Sequence, residues 1–521
     1  MASKEVKGQR LFRSTSIVAM MTMLSRIFGF VRDVIVAQIF GAGAAFDSYL
    51  IAFKLPNFLR RLFGEGAFSQ AFVPVLAEFR TKRTEEETRD FIARIFGTLG
   101  LIVLVLVAVV ELFVPVVIML FAPGFFHDPV RFGLSSHMLH IMFPYLFFIV
   151  MTACSGAILN TFNRFAVPAF TPVLLNVALI SAAWFLAPYF STPIYALAWG
   201  ALLGGIIQLG MQLPFLFRLG VLVKPKLGFR DEGVRRVMKL MVPALFGVSV
   251  AQISLLVDNL FASFLPVGSI SWLYYSDRLT YLPLGVIGVA LATVVLPNLS
   301  RHHASKNKKV FNHTLDWSLR IALIVGIPAA LGLFTLAQPI IATLIQHGEF
   351  GARDVIMTAK SLMAFSIGLP GFMLIKILAS GFYSQQNIKT PVKIAAIALV
   401  ANLILNLALI FPMRHAGLAL ATSLAALLNA SLLLFLLYKR KCYQPEKGWA
   451  AFVSRLVVAS LVMFAVIHLV NRPLHFWLTA GTFVRAWYLA VVLVVSIIAY
   501  VVSLVIGGVR LQHLRPPREI V

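Results

Sequence analysis

Charge is what this chain has least of. Asp, Glu, Lys and Arg together make 12% of its 521 residues, about half the share of an ordinary soluble domain. Acidic side chains are the scarcer sign, 20 against 45 Lys and Arg, for a net charge of +25. Cysteine is nearly absent. Cys154 and Cys442 are the two present, far apart in sequence, and they offer neither a disulfide framework nor a metal cluster. No G-x-x-x-x-G-K-[ST] stretch occurs, so the chain does not itself spend ATP. His302, His303 and His347 fall at no metal-ligand spacing. His127 stands beside Asp128 without a nucleophile nearby. No catalytic residue, no metal and no enzymatic role is therefore assigned. Short alternating strands are missing too, which excludes a membrane β-barrel.

What the chain does have is apolar length. It is 60% hydrophobic, with a mean hydropathy of +0.90. Apolar runs near the length a bilayer requires recur throughout. About fourteen spans are expected, near 14–41, 44–76, 92–122, 134–159, 168–188, 193–217, 238–264, 269–299, 317–345, 356–381, 392–411, 415–438, 450–470 and 484–508. The expected fold is an all-α integral membrane protein. The basic start, with Lys4, Lys7, Arg10 and Arg13, precedes a long apolar stretch without a small-residue cleavage site, and reads as a retained first span.

The basic residues alternate along the connections. One set holds Arg80, Lys82, Arg83 and Arg89; Arg164; Lys224, Lys226, Arg235 and Arg236; Arg301, Lys308 and Lys309; Lys389; Lys439, Arg440 and Lys441; and Arg510, Arg515 and Arg518. The other holds little beyond Arg131, Arg353, Arg414 and Arg472. The positive-inside rule then places both termini in the cytoplasm and requires an even number of spans. Much of the net charge is topology, and no nucleic-acid partner is needed.

The sequence also repeats itself. "RDVIVAQIFGAG" (32–43) resembles "VDNLFASFLPVG" (257–268). "GAILNTFNRFAVP", ending at Pro168, resembles "GFYSQQNIKTP", ending at Pro391. "LAWGALLGGIIQ" (197–208) resembles "LALATSLAALLN" (418–429). The offset drifts smoothly from about 225 to about 221 residues. Six spans make one copy, and both copies enter the membrane from the same side. Residues 1–222 form an expected N-lobe, 223–443 a C-lobe, and 444–521 two added helices with a C-terminal tail. Two such lobes around a central cavity suit an alternating-access transporter.

The scarce charges sit where they cost most, at least about 2.5 kcal/mol each near a helix centre. "LSRIFGFVRD" (24–33) carries Arg26, Arg32 and Asp33. Arg26 lies roughly 20 Å along the helix from Arg13, beyond what snorkelling recovers. Arg26 and Asp33, seven apart, share a face, and Ser25, Gly29 and Arg32 form an adjacent polar stripe. Gly29 leaves room for close approach. In the next span Asp47, Lys54, Arg61 and Glu65 share one stripe, Arg60 points elsewhere, and Pro56 is expected to bend the helix. In the second copy "YYSDRL" supplies Asp277 and Arg278. Two readings compete. One is internal salt-bridging, of Arg26 or Arg32 with Asp33, Arg61 with Glu65, and Arg278 with Asp277. The other is a cavity for an anionic cargo, which the excess of cations favours and which arginine's planar fork suits.

With no ATP site, an ion gradient or the membrane potential is the expected drive. Asp258, Asn402, Asn406 and Thr422 are candidate ligands for Na⁺, or Asp258 for a proton. Helix–helix hydrogen bonding by Asn and Thr is the competing explanation.

"SRIFGFVRD", "FGAGAAFDSYLIAFKLPNFLRRLFGEGAFSQAFVPVLAEF", "GAILNTFNRFAVPAFTPVLLN", "YYSDRL" and "GFYSQQNIKTPVKIA" together resemble the MurJ (MviN) lipid II flippases of bacteria, members of the MOP exporter superfamily. The resemblance implies fourteen helices and transport of lipid II from the cytoplasmic to the periplasmic leaflet of the inner membrane. It implies Arg26, Arg32, Arg60 and Arg278 as cavity arginines and Asp47 as a cavity carboxylate. It also implies a polyprenyl-tail groove on the two added helices, where Arg455, His468 and Arg485 read as interfacial. Membrane lipid surrounds such a protein, cell-wall synthesis proteins are candidate partners, and a monomer is expected. The alternatives are a flippase for another polyprenyl-pyrophosphate-linked oligosaccharide, or a MATE-like exporter. A drug exporter for organic cations suits an acidic or aromatic cavity, and this one is basic.

Overall fold

The computed structural model describes the backbone of residues 2–61, 68–285, 289–304 and 307–509, and the side chains of 17–61, 68–243, 245, 256–285, 295–302 and 307–509. Among the described residues there is helix and no strand. The helices are α1 (Ala2–Phe40), α2 (Ala44–Arg60), α3 (Phe68–Lys82), α4 (Glu85–Leu112), α5 (Val114–Phe121), α6 (Pro129–Met142), α7 (Tyr145–Thr161), α8 (Ala166–Ser181), α9 (Tyr195–Arg218) and α10 (Glu232–Ser263). They continue with α11 (Ser269–Pro283), α12 (Val289–Ala304), α13 (Lys308–Thr335), α14 (Ala337–Leu344), α15 (Ala352–Tyr383), α16 (Lys389–Lys439), α17 (Trp449–Val470), α18 (Leu474–Thr479) and α19 (Thr482–Ile506).

Among the described residues, eight helices are long and apolar enough to cross a membrane, or nine if the bent pair α6–α7 is one span. All fourteen expected segments coincide with helices, singly, as interrupted pairs, or as the two arms of α16. Four segments lie outside the long apolar set: 14–41, 44–76, 238–264 and 269–299. The helices over 44–76 and 269–299 are short individually, 17, 15, 15 and 16 residues.

Packing divides the chain into two units, Met1–Gly268 and Ser269–Val521. The repeat and the packing divide it differently. α10 opens the second copy of the repeat, yet it packs on α3 and α4 of the first unit. The repeat itself is visible in the helices. α4 and α13 are both 28 residues long, and their first residues are 223 positions apart. α5 and α14 both have eight residues at the same offset. The breaks between them fall at Phe113 (φ −119°, ψ 22°) and Leu336 (φ −103°, ψ 19°), and each precedes a proline, Pro115 or Pro339, that cannot continue the hydrogen-bond ladder. Pro56 lies inside α2, which runs on through it to Arg60.

α16 would be about 77 Å long if straight, far more than a bilayer. It breaks at Arg414 (φ 51°, ψ −129°), and the chain doubles back. A Cβ on Gly417 would stand 2.2 Å from the Leu409 carbonyl oxygen, so the hairpin closes only with glycine there. In the second unit the core joins Phe311, Leu315 and Leu319 of α13 to Met373, Ile377 and Phe382 of α15 and Leu433 and Leu437 of α16. Large apolar side chains stay exposed along α17 and α19, among them Leu461, Val458, Ile498 and Ile506. A face of that kind is at home in lipid, not water.

Candidate functional site

In the first unit, the polar stripe of α1 faces α8. Arg32 Nε and Nη2 donate to one oxygen of Asp33, at 3.0 and 2.6 Å, and Arg32 Nη1 donates to Asn176 Oδ1 at 3.0 Å. Asn176 Nδ2 in turn donates to the Ser25 carbonyl at 3.2 Å. A Cβ on Gly29 would lie 3.6 Å from the same amide, so the two helices touch closely there. Arg32 and Asp33 are 8% and 7% exposed, and burial is tolerable because each is paired and hydrogen-bonded. Arg26 differs. It is exposed, beside exposed Met23 and Ile27, and forms no ion pair or hydrogen bond with any described residue.

The stripe on α2 turns toward α10. Asp47, fully buried, accepts from the Gly268 backbone N–H at 2.7 Å. It also sits in the first turn of α2, where the helix dipole favours a negative charge. Lys54 Nζ donates to Asn259 Oδ1 on α10. Arg60 Nε donates to Asn57 Oδ1 one turn back, at 3.0 Å. Arg61 is exposed at the end of α2, and Glu65 lies outside the described residues. Asp258 is half-buried, next to Asn259 on α10.

In the second unit, Arg278 is exposed on α11. Its guanidinium carbon lies 5.2 Å from the Tyr274 ring centroid, and Nη2 is 3.3 Å from the Tyr274 hydroxyl. Asp277 is half-buried. Asn402 and Asn406 are buried one turn apart on the first arm of α16. Thr422, on the second arm, donates to the Leu418 carbonyl of its own helix at 3.0 Å. Among the described residues no three His, Cys, Asp or Glu side chains converge as metal ligands. The structure thus separates the expected cations. Arg32, Lys54 and Arg60 are buried or half-buried with side-chain partners in the first unit; Arg26 is exposed, and Arg278 is exposed with Tyr274 beside it.

Four polar groups have a structural role that the pattern of charge did not show. Asn176 is the acceptor that completes the Arg32 cluster; its signal was a lone amide in "TPVLLNVALI". Arg131 donates to Asp128 at 2.7 Å and to the Leu265 carbonyl at 3.3 Å, and stacks on Phe125. Burial pushes the Asp128 carboxyl up, but the bonds from Arg131 outweigh it and hold the group below the usual range. Asp316 is almost fully buried and accepts from Arg320, Tyr443, Trp449 and the Glu446 backbone, at 2.7, 2.6, 2.7 and 3.2 Å. It fastens the segment before α17 onto α13. Arg485 on α19 is buried and donates to the Ala342 carbonyl and to Gln346, both at 2.7 Å. It ties α19 to the end of α14.

The family described as "Lipid II flippase MurJ" matches residues 36–489. A relative from Vibrio cholerae, named a probable lipid II flippase MurJ, is 48% identical over 519 residues, 98% of this chain and 99% of its own length. Among solved structures, a lipid II flippase MurJ in an inward closed conformation matches with a TM-score of 0.80 and 31% identity, over 94% of this chain and 98% of that one. An inward-facing multidrug resistance MATE family transporter of the MOP superfamily matches with a TM-score of 0.68, over 81% of this chain and 97% of that one. At 12% identity that likeness concerns the fold alone.

Proposed function

Because the chain belongs to the lipid II flippase MurJ family, we propose that it carries lipid II across a bacterial cytoplasmic membrane, from the cytoplasmic to the periplasmic leaflet, by alternating access. The observation that carries this reading is the near-complete alignment with a relative of that name, at 48% identity over 98% of this chain. Both termini lie in the cytoplasm in this reading, on the side that holds the basic connections. The protein acts as a monomer, as a transporter rather than an enzyme.

Lipid II carries a pyrophosphate and peptide carboxylates on a polyprenyl chain. Arg26 and Arg278 are exposed on helices that cross apolar surroundings, and an exposed guanidinium is suited to the anionic head. Arg32 and Asp33 hold α1, which presents Arg26, against α8, and Lys54 links α2 to α10; Asp47 and Arg60 bond the Gly268 backbone and Asn57. The polyprenyl tail stays in lipid or follows α17 and α19. A gradient of Na⁺ or H⁺ drives the cycle, with Asp258, Asn402, Asn406 and Thr422 as the groups to test. The reading is checked by complementation. Cells depleted of their own lipid II flippase should grow when this chain is supplied; failure to grow, with the protein present in the membrane, would count against it.

A further inference from the structure

The two copies of the repeat treat the same loops in opposite ways. In the first unit α4 begins at the cap Thr84, whose hydroxyl accepts from the Glu87 N–H, and the next residues are Glu85 and Glu86. In the second unit, 223 positions on, α13 begins at the cap Asn307, whose side chain accepts from the Val310 N–H. There the next residues are Lys308 and Lys309. The cap is kept and the charge is inverted. Two ammonium groups now stand where the helix already presents positive potential.

Neighbouring loops show the same contrast. In the first unit, five basic side chains at this end pair with carboxylates, while others, such as Arg80 and Arg89, bond backbone carbonyls. Lys82 and Arg236 pair with Glu78, Arg83 with Glu87, and Arg94 and Lys226 with Asp90. Hydrogen bonds from Lys82 and Arg236 hold the Glu78 carboxyl below its ordinary range. In the second unit Lys308, Lys309, Arg440 and Lys441 pair with no carboxylate among the described residues. They line a cavity of about 1060 Å³ with His313, Cys442 and one carboxylate, Glu446. That carboxylate is already engaged, 2.7 Å from His313 Nδ1. The positive-inside rule accounts for cations on these loops in both units. It does not account for the gathering of four of them around one cavity whose single carboxylate is already engaged.

We propose that this cavity is a phosphate-binding site. Four cations without a carboxylate partner among the described residues, a helix N-terminus and a half-open cavity together suit a phosphate monoester or diester. Two sources share that chemistry. One is the headgroup of an anionic phospholipid, whose acyl chains would lie along the exposed Phe435 and Tyr438 of α16. The other is a soluble phosphate compound. The site is separate from the residues assigned to lipid II, so the two readings fail independently.

Cys442 lies in the cavity and Cys154 is buried, so the native chain carries its own reporter. Alkylation of Cys442 by N-ethylmaleimide is followed by mass spectrometry. The full chain is held in nanodiscs of phosphatidylcholine, in nanodiscs containing phosphatidylglycerol, and in detergent with or without inorganic phosphate. An anionic lipid in the site should slow alkylation roughly fivefold relative to the neutral bilayer. The protection should vanish in Lys308→Gln/Lys309→Gln and in Arg440→Gln/Lys441→Gln, each confirmed folded by its melting temperature. A general effect of surface charge would persist in these variants. Protection by inorganic phosphate in detergent, without protection by the lipid, assigns the soluble source and overturns the lipid one. Equal rates in all conditions, or protection that survives the substitutions, would overturn the site altogether.

Discussion

Arg26 and Arg32 are six residues apart on one helix, yet their surroundings differ completely. Arg32 has a carboxylate and an amide within 3.0 Å; Arg26 is exposed and has neither. Removing Arg32 would leave Asp33 and Asn176 to find new partners, so its substitution mixes stability with function. Arg26→Ala and Arg278→Ala are cleaner. Each should abolish complementation while the protein accumulates at its normal level, measured by quantitative blot of the membrane fraction. Full growth in both would favour a purely structural role for the buried charge. Asn176→Ala should lower stability by about 1–2 kcal/mol, because it strips Arg32 and the Ser25 carbonyl of a partner. The melting temperature in detergent reads this directly. Sequence spacing made Ser25, Gly29 and Arg32 one stripe, and they are. What spacing left open was the neighbour, since only packing brings α8 against α1.

At the scale of the helix, proline and glycine explain most of the interruptions. The breaks near Pro115 and Pro339 follow from the missing N–H. The hairpin in α16 depends on Gly417. Gly417→Ala should cost about 3 kcal/mol or prevent folding, because the new methyl meets backbone rather than a movable side chain. Fluorescence-detected gel filtration would show aggregated or absent protein; a normal monodisperse peak would contradict the close contact. The anchor at Asp316 belongs to this scale too. Asp316→Ala removes the shared acceptor of Arg320, Tyr443 and Trp449, and should destabilise by about 3 kcal/mol. Limited proteolysis should then cut between 440 and 448 more readily. Helix positions were legible from apolar length alone. The Asp316 anchor was not, because a carboxylate near a helix start reads as an ordinary interfacial charge until its four donors are seen.

At the scale of the whole molecule, duplication is the organising fact. Weak sequence matches at a drifting offset are joined by two pairs of equal-length helices, α4 with α13 and α5 with α14, whose caps and breaks fall at equal positions. The repeat was legible because order and offset are shared by many weak signals. The packing boundary at Gly268 was not, because membrane helices of similar composition give no hint of which neighbour each will choose. Orientation is testable with the native thiol near the end of the second copy. In sealed inside-out vesicles Cys442 should react with a membrane-impermeant maleimide, and in right-side-out vesicles it should not. The reverse pattern would invert the topology. The central claim, that this chain moves lipid II, is tested most directly by depleting it in its own cells and measuring lipid II in each leaflet. The account predicts that lipid II accumulates in the cytoplasmic leaflet and ceases to reach the periplasmic one. Arrival at the periplasmic leaflet at the normal rate, with the protein gone, would contradict it.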